Sequence, residues 1–136
     1  QTNVAGYALY MFSVTAVVLV FAPHIGVPAT LMLTVGDPVS GLLGTTREAG
    51  EPKRLRTLGA MFAVCLLVSA PFLVPVAGVA VGGAAAVAAA LGATAADGFK
   101  PVIAGYVVDD NLSIPPVAAG AAGAVLAVAG ATPVFA

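Results

Sequence analysis

Charge is scarce in this chain: five basic and six acidic residues among 136, or 8% of the sequence, where soluble domains carry about a quarter. Together with 60% hydrophobic residues and a mean hydropathy of +1.08, that scarcity excludes a soluble domain and predicts an integral membrane protein. The single cysteine, Cys65, excludes an internal disulfide and a cysteine metal cluster; set in an apolar run, it is expected to fill space between helices. A net charge of −1 gives no case for nucleic-acid binding. The one histidine, His24, has no partner in sequence, and there is no Walker loop, nucleophile elbow or His-Glu zinc pattern. The sequence opens at Gln1 without a basic region leading to a small-residue cleavage site. No signal peptide is therefore expected, and the sequence is expected to begin part-way through a longer protein.

What is present is apolar sequence in span-sized lengths. Segments near Val4 to Ala22, Ile25 to Val35 continuing into Leu43, Leu58 to Val74, Val76 to Thr94, and Ile114 to Thr132 are helix candidates. They predict an all-α, polytopic transmembrane bundle of about five spans, forming a single membrane domain over residues 1–136. Pro38 and its flanking glycines predict a break in the second span near Gly36 to Pro38, where irregular backbone must face protein or a water-filled cavity. The last two spans are rich in Ala, Gly and Val, which suits close helix packing and implies no function by itself.

Four of the five basic residues, Arg47, Lys53, Arg54 and Arg56, fall between the second and third spans. The positive-inside rule makes that loop cytoplasmic. Alternating spans then place the turn Ala22-Pro23-His24-Ile25 and the Val74-Pro75 turn outside, and residues Asp97 to Ser113 inside. Every acidic residue lands on the cytoplasmic face with the basic loop, although only the basic loop set the orientation. The expected location is the cell membrane, multi-pass, with one active surface at the cytoplasmic side.

Charge in such a protein marks where it works, because charge is costly in a bilayer. The clusters are Asp37 within Gly36-Asp37-Pro38-Val39-Ser40-Gly41, the run Arg47 to Arg56, the pair Asp97 and Lys100, and Asp109-Asp110-Asn111. Paired carboxylates beside a Lys-Arg pair suit a divalent cation and a phosphorylated ligand. Magnesium takes a few carboxylate oxygens plus substrate phosphates, which Asp37, Asp109 and Asp110 can supply, while Lys53, Arg54 and Arg56 hold phosphate charge. Gly36 and Gly41 let backbone amides approach phosphate closely. Simpler readings stand beside these. Asp37-Pro38 suits a cap or turn, the basic loop can act only as a topology determinant, and Asp97-Gly98 suits a turn. Asp109 to Asn111 can cap the last helix, with Pro115-Pro116 in its first turn.

In combination and order, Gly36-Asp37-Pro38-Val39-Ser40-Gly41-Leu42-Leu43-Gly44, Lys53-Arg54, Ala96-Asp97-Gly98 and Val108-Asp109-Asp110-Asn111-Leu112-Ser113-Ile114-Pro115 resemble the dolichol kinase and phytol kinase family. These are membrane kinases that use CTP to phosphorylate lipid alcohols. The resemblance runs from about Asn3 to the end, and Asn3-Val4-Ala5-Gly6-Tyr7 looks like archaeal members. It implies that Gly36 and Asp37, with Ser40 and Gly41 of the same segment, belong to a CTP and magnesium site. It also implies that Lys53 and Arg54 lie in the nucleotide-binding loop, that Asp97 takes an acidic position common in relatives, and that Asp109, Asp110 and Asn111 complete the site. Two departures stand out. The family's further N-terminal spans have no match here, and Lys53-Arg54-Leu55-Arg56-Thr57-Leu58-Gly59 replaces the Lys-Ser/Thr-x-x-Gly continuation of plant enzymes. An incomplete kinase, or a homo-oligomer that completes the bundle, would follow from them.

The implied reaction is transfer of the CTP γ-phosphoryl group to a long-chain prenyl alcohol at the cytoplasmic face. Two rivals remain on the sequence. A CTP:lipid cytidylyltransferase would release pyrophosphate, and a non-enzymatic transporter or structural subunit would use Asp37, Asp97 and Asp110 as an ion or proton path.

Overall fold

The computed structural model describes residues 6–36, 38–39, 55–98, 102–103, 106–107, 110–131 and 134–135. Four α-helices dominate: α1 (Gly6–Val20), α2 (Pro23–Leu31), α3 (Leu55–Gly98) and α4 (Asp110–Val128). A π-helical turn (Met32–Gly36) extends α2, and a hairpin of two short strands, β1 (Val102–Ile103) and β2 (Tyr106–Val107), lies between α3 and α4. Its register pairs Val102 with Val107 and Ile103 with Tyr106. The architecture is all-α, as the apolar segments predict.

Helix α3 comprises two helical limbs that meet and reverse direction at Gly78, whose φ of 90° and ψ of 168° are non-helical. That conformation belongs essentially to glycine. In a straight helix Gly82 would lie about 13 Å along the axis from Leu73. Instead a methyl group on Gly82 would collide with the Leu73 carbonyl and come within 2.7 Å of Val74 Cα, while at the far ends one on Gly98 would meet Leu58 Cδ2 at 2.7 Å. Residues 55–77 and 79–98 are therefore two antiparallel limbs in close contact. The sequence reading puts the turn at Val74-Pro75. The structure instead keeps Pro71 and Pro75 inside the first limb, because the reversal needs a positive φ that proline cannot adopt.

Helix α4 packs along the second limb and also touches α1, α2 and the π-helical turn. A methyl group on Gly92 would sit 3.1 Å from Val117 Cγ1 and 3.4 Å from Ala121 Cβ, while nearer Gly78, Ala80 and Ala84 share a groove with Ala124 and Val128. Numbering thus rises along one helix as it falls along the other, so α4 runs antiparallel to the second limb. Its start at Asp110 lies at the Asp97 end and its finish near Gly78. There the chain's last residues close the corner between α1 and α2. The Ala22 amide donates to the Val134 carbonyl at 2.9 Å, and Phe21 stacks on Phe135 at 5.7 Å.

Helix α4 begins earlier than the proline pair suggests. Pro115 and Pro116 lie past its first turn, where each removes an i to i−4 hydrogen bond. Asp97-Gly98 likewise ends α3 and is not a free turn.

Small residues supply much of the buried surface of the second limb and α4: Ala85, Ala86, Ala89, Ala90, Ala93, Ala118, Ala119 and Ala122 are buried, along with larger side chains such as Leu73, Ile114 and Leu126, while Leu67 is 74% exposed, Val79 80% and Val128 91%. Water-soluble folds bury their large apolar side chains. Helices packed in lipid gain little from burying Leu over Ala and associate through small residues. Hydroxyls within the apolar helices turn back on their own backbone: Ser69 donates to the Cys65 carbonyl at 2.8 Å and Thr94 to that of Ala90 at 2.7 Å. Among the described residues one helix, Arg56–Gly98, is long and apolar enough to cross a membrane, and most of its most apolar stretch lies outside the protein interior. Ala8–Val20 and Ser113–Val128 are shorter apolar helices.

Candidate functional site

Described charge collects at one end of the hairpin. Arg56 opens the first limb, Asp97 closes the second and Asp110 opens α4. With about 1.5 Å of rise per residue, Asp97 lies about 7.5 Å and Asp110 about 10 Å beyond the Gly92–Val117 contact, in the same direction. The end holding Gly78, the α1–α2 corner and the α4 terminus has no Asp, Glu, Lys or Arg among its described residues. It does hold His24, whose Nε2 is buried without a hydrogen-bond partner.

The π-helical turn brings Gly36 onto the first limb. Such turns widen a helix by one residue per turn and recur at functional sites. A methyl group added at Gly36 would stand 2.8 Å from Met61 Sδ, 3.1 Å from Met61 Cε and 3.4 Å from Cys65 Sγ. Met61 and Cys65, one helical turn apart, are both fully buried. Gly36 is therefore held beside the first limb, about two turns above its start. Pro38 and Val39 are helical again, Pro38 exposed and Val39 half-buried. The expected break near Gly36 to Pro38 turns on Asp37, which lies outside the described residues; up to Gly36 the winding changes from α to π across Met32–Gly36.

Asp97 is 0% exposed. The family resemblance makes it a nucleotide contact; a fully buried side chain is better placed to brace the site from behind than to touch a nucleotide. It is engaged and not isolated, as burial of a carboxylate demands. Its neighbour Gly98 packs against Leu58, about one turn nearer the start of the first limb than the Met61 that meets Gly36. Asp110 and Asn111 form the start of α4. An acidic group at a helix start is favoured by the helix dipole. Asp37, Ser40, Gly41, Lys53, Arg54 and Asp109 lie outside the described residues. The Ser113 Oγ, one turn into α4, is buried without a hydrogen-bond partner.

Among the described residues no three His, Cys, Asp or Glu side chains gather as a metal-binding group. A groove of about 460 Å³ runs between the second limb and α4 toward the Gly78 end, lined by Ala80, Val81, Ala84, Ala124, Val125 and Val128. Its wall is apolar throughout, suited to hydrocarbon and not to a nucleotide. Met61 and Cys65 are the residues that sequence reasoning misses. Both are apolar side chains in an apolar run, and only the contact with Gly36 distinguishes them.

Comparison with known proteins gives no match: no family model, no curated protein and no solved structure resembles the chain.

Proposed function

We propose that this protein is a multi-pass membrane kinase that transfers the γ-phosphoryl group of CTP to a long-chain prenyl alcohol of the dolichol or polyprenol class, at the cytoplasmic face. The observation that supports the reading is the gathering of Arg56, Asp97 and Asp110 at one end of the helices, with Gly36 seated on the first limb at Met61 and Cys65. The two limbs of α3, each about 30 Å of helix, have the length of a membrane crossing. In the proposed bundle of five, α1, α4 and α2 with its π-helical turn are the remaining, shorter segments.

The chemistry asks for positioning and charge neutralisation more than covalent help. The alcohol oxygen attacks the γ-phosphorus, the bond from that phosphorus to the bridging oxygen breaks, and CDP leaves. One of Asp37, Asp109 and Asp110 accepts the hydroxyl proton. Lys53 and Arg54 hold phosphate charge, with Ser40, Gly41 and Asn111 completing the nucleotide contacts. The donors at this end are carboxylate oxygens, hard ligands that fit magnesium; Asp37 with Asp109 or Asp110 would hold it, where it would neutralise phosphate charge. Asp97, being fully buried, braces these groups instead of touching nucleotide. The apolar groove lies about 20 Å along the helices from Asp97, so an alcohol with its hydroxyl at the charged end can lay its chain there.

The test is transfer of label from γ-labelled CTP, with magnesium, to prenyl alcohols by the full chain in lipid vesicles. Labelled lipid phosphate with CDP supports the kinase. Lipid labelled only from α-labelled CTP, with pyrophosphate released, supports cytidylyl transfer and overturns it, and an absence of both overturns any nucleotide-dependent reading.

A further inference from the structure

The seam between the second limb and α4 is closed at one level and open at another. At Gly92 an added methyl would already stand 3.1 Å from Val117 Cγ1 and 3.4 Å from Ala121 Cβ. Closer to Gly78, between Ala84 and Ala124, the same two helices enclose the apolar groove of about 460 Å³, a volume within the range of small-molecule pockets, about 300–1,000 Å³. Ala80, Ala84, Ala124 and Val128 are exposed along it, so the groove opens on the outer surface of the bundle, which in a membrane is lipid. Both helices put it at one level. Counted at about 1.5 Å per residue, Ala84 lies about 20 Å from Asp97 and Ala124 about 21 Å from Asp110, while Ala80 and Val128 lie about 26 and 27 Å away. The groove thus begins about 20 Å from the charged end and finishes inside the roughly 30 Å of a bilayer core.

We propose that the groove seats the fifth isoprene unit of a methyl-branched polyprenyl chain whose hydroxyl lies at the charged end, so that about five units is the shortest chain held along its length. The proposal rests on the kinase reading for the place of the hydroxyl and on the groove alone for the seat of the chain. With carbon–carbon bonds of about 1.5 Å, an extended chain advances about 1.3 Å per bond, so the four chain carbons of one isoprene unit cover about 5 Å. Four units span the first 20 Å or so, and the fifth enters the groove. The pattern of the wall favours a branched occupant. A polyprenyl chain carries a methyl about every 5 Å, close to the helical repeat of about 5.4 Å, and Ala80 and Ala84 share one face of the second limb. Successive branches can therefore meet Ala84 and then Ala80, where a straight acyl chain has no group to place and forfeits those contacts. The chain arrives from lipid and not from water, so burial alone gains little. The preference is one of packing, about tenfold, the low end for a group that fills an apolar pocket.

In vesicles, with each alcohol supplied at the same mole fraction of lipid, the full chain should use alcohols of six isoprene units with about tenfold higher kcat/KM than alcohols of three, and gain nothing further at greater length. Straight-chain alcohols of matching lengths should show no such step. Ala124→Phe, which fills the groove from an exposed position, should abolish the step, whereas Leu67→Phe on the exposed face of the first limb should keep it. Equal use of three and six units by the wild type, or a step that survives Ala124→Phe, overturns the proposal. An arm independent of activity uses a six-unit alcohol carrying a diazirine on its fifth unit. On irradiation it should label residues 80–84 and 124–129 in preference to the exposed Met11 and Leu67. Even labelling of all exposed positions overturns the proposal. So does equal labelling of the groove by a straight-chain diazirine alcohol, since bilayer chains of any kind then fill it. Selective labelling by the branched probe in a protein without CTP-dependent transfer overturns the kinase reading and leaves the chain site standing.

Discussion

The two ends of this helical bundle are built from opposite materials. At one end lie Arg56, Asp97 and Asp110 with the π-helical turn at Gly36; at the other lie the Gly78 reversal, the stacked Phe21 and Phe135 and the α1–α2 corner, without a described Asp, Glu, Lys or Arg. Between them the helices bury many alanines along with Leu73, Ile114 and Leu126, and expose Phe12, Leu67, Val79 and Leu91. A soluble bundle has no reason to sort its charge by end. A protein spanning lipid and working on one face does, since only that face needs to bind charged substrate.

The largest effect that would break this comparison is at the charged end. Asp37→Asn and Asp110→Asn should each reduce CTP-dependent transfer by about 10³-fold while insertion into membranes, assayed by carbonate extraction, is unchanged. His24→Ala at the opposite end should leave transfer within about twofold of wild type. Retained activity in both carboxylate variants would remove the functional distinction between the ends.

Stability should follow the hairpin instead. Gly82→Ala presses a methyl against the backbone of Leu73 and Val74, which cannot yield without separating the limbs, and should destabilise by about 3 kcal/mol. Gly78→Ala forces an L side chain into a conformation with φ of 90° and should cost about 2 kcal/mol. Gly83→Ala is the contrast, since nothing lies within 4 Å of the new methyl. It should stabilise the second limb by about 0.5–1 kcal/mol, the helix propensity difference. Thermal unfolding in detergent orders the three, and equal effects at positions 82 and 83 would contradict the antiparallel packing of the limbs.

The helices were legible in the sequence because runs of apolar residues of the right length leave few alternatives. α1 falls within Val4 to Ala22, and the limbs of α3 fall over Leu58 to Val74 and Val76 to Thr94. The position of the reversal was less legible. Proline at 75 is the conspicuous breaker in sequence, yet a helix tolerates it where neighbouring groups satisfy the freed carbonyl, and the sharper demand for positive φ falls three residues later on Gly78. The start of α4 at Asp110 falls within Asp109 to Asn111, where the sequence offers a cap, while Pro115 and Pro116 lie past the first turn in which they were expected. At the candidate site, scarcity of charge pointed to Asp97 and to the Gly36 segment; Gly36 meets the first limb at Met61 and Cys65, and Gly98 beside Asp97 meets it at Leu58, nearer its start. Burial of Asp97 was not legible, because residue type says nothing of which way a helix end faces. Nor was the close approach of Gly36 to Met61 and Cys65, which no spacing pattern encodes.

The central claim is that the two ends lie on opposite sides of a bilayer. In a Cys65→Ser background, Arg56→Cys and Val79→Cys place single thiols at exposed positions at the two ends. Labelling sealed vesicles of known orientation with a membrane-impermeant maleimide should modify one thiol from outside and the other only after the vesicles are opened. Modification of both from the same side would contradict the account.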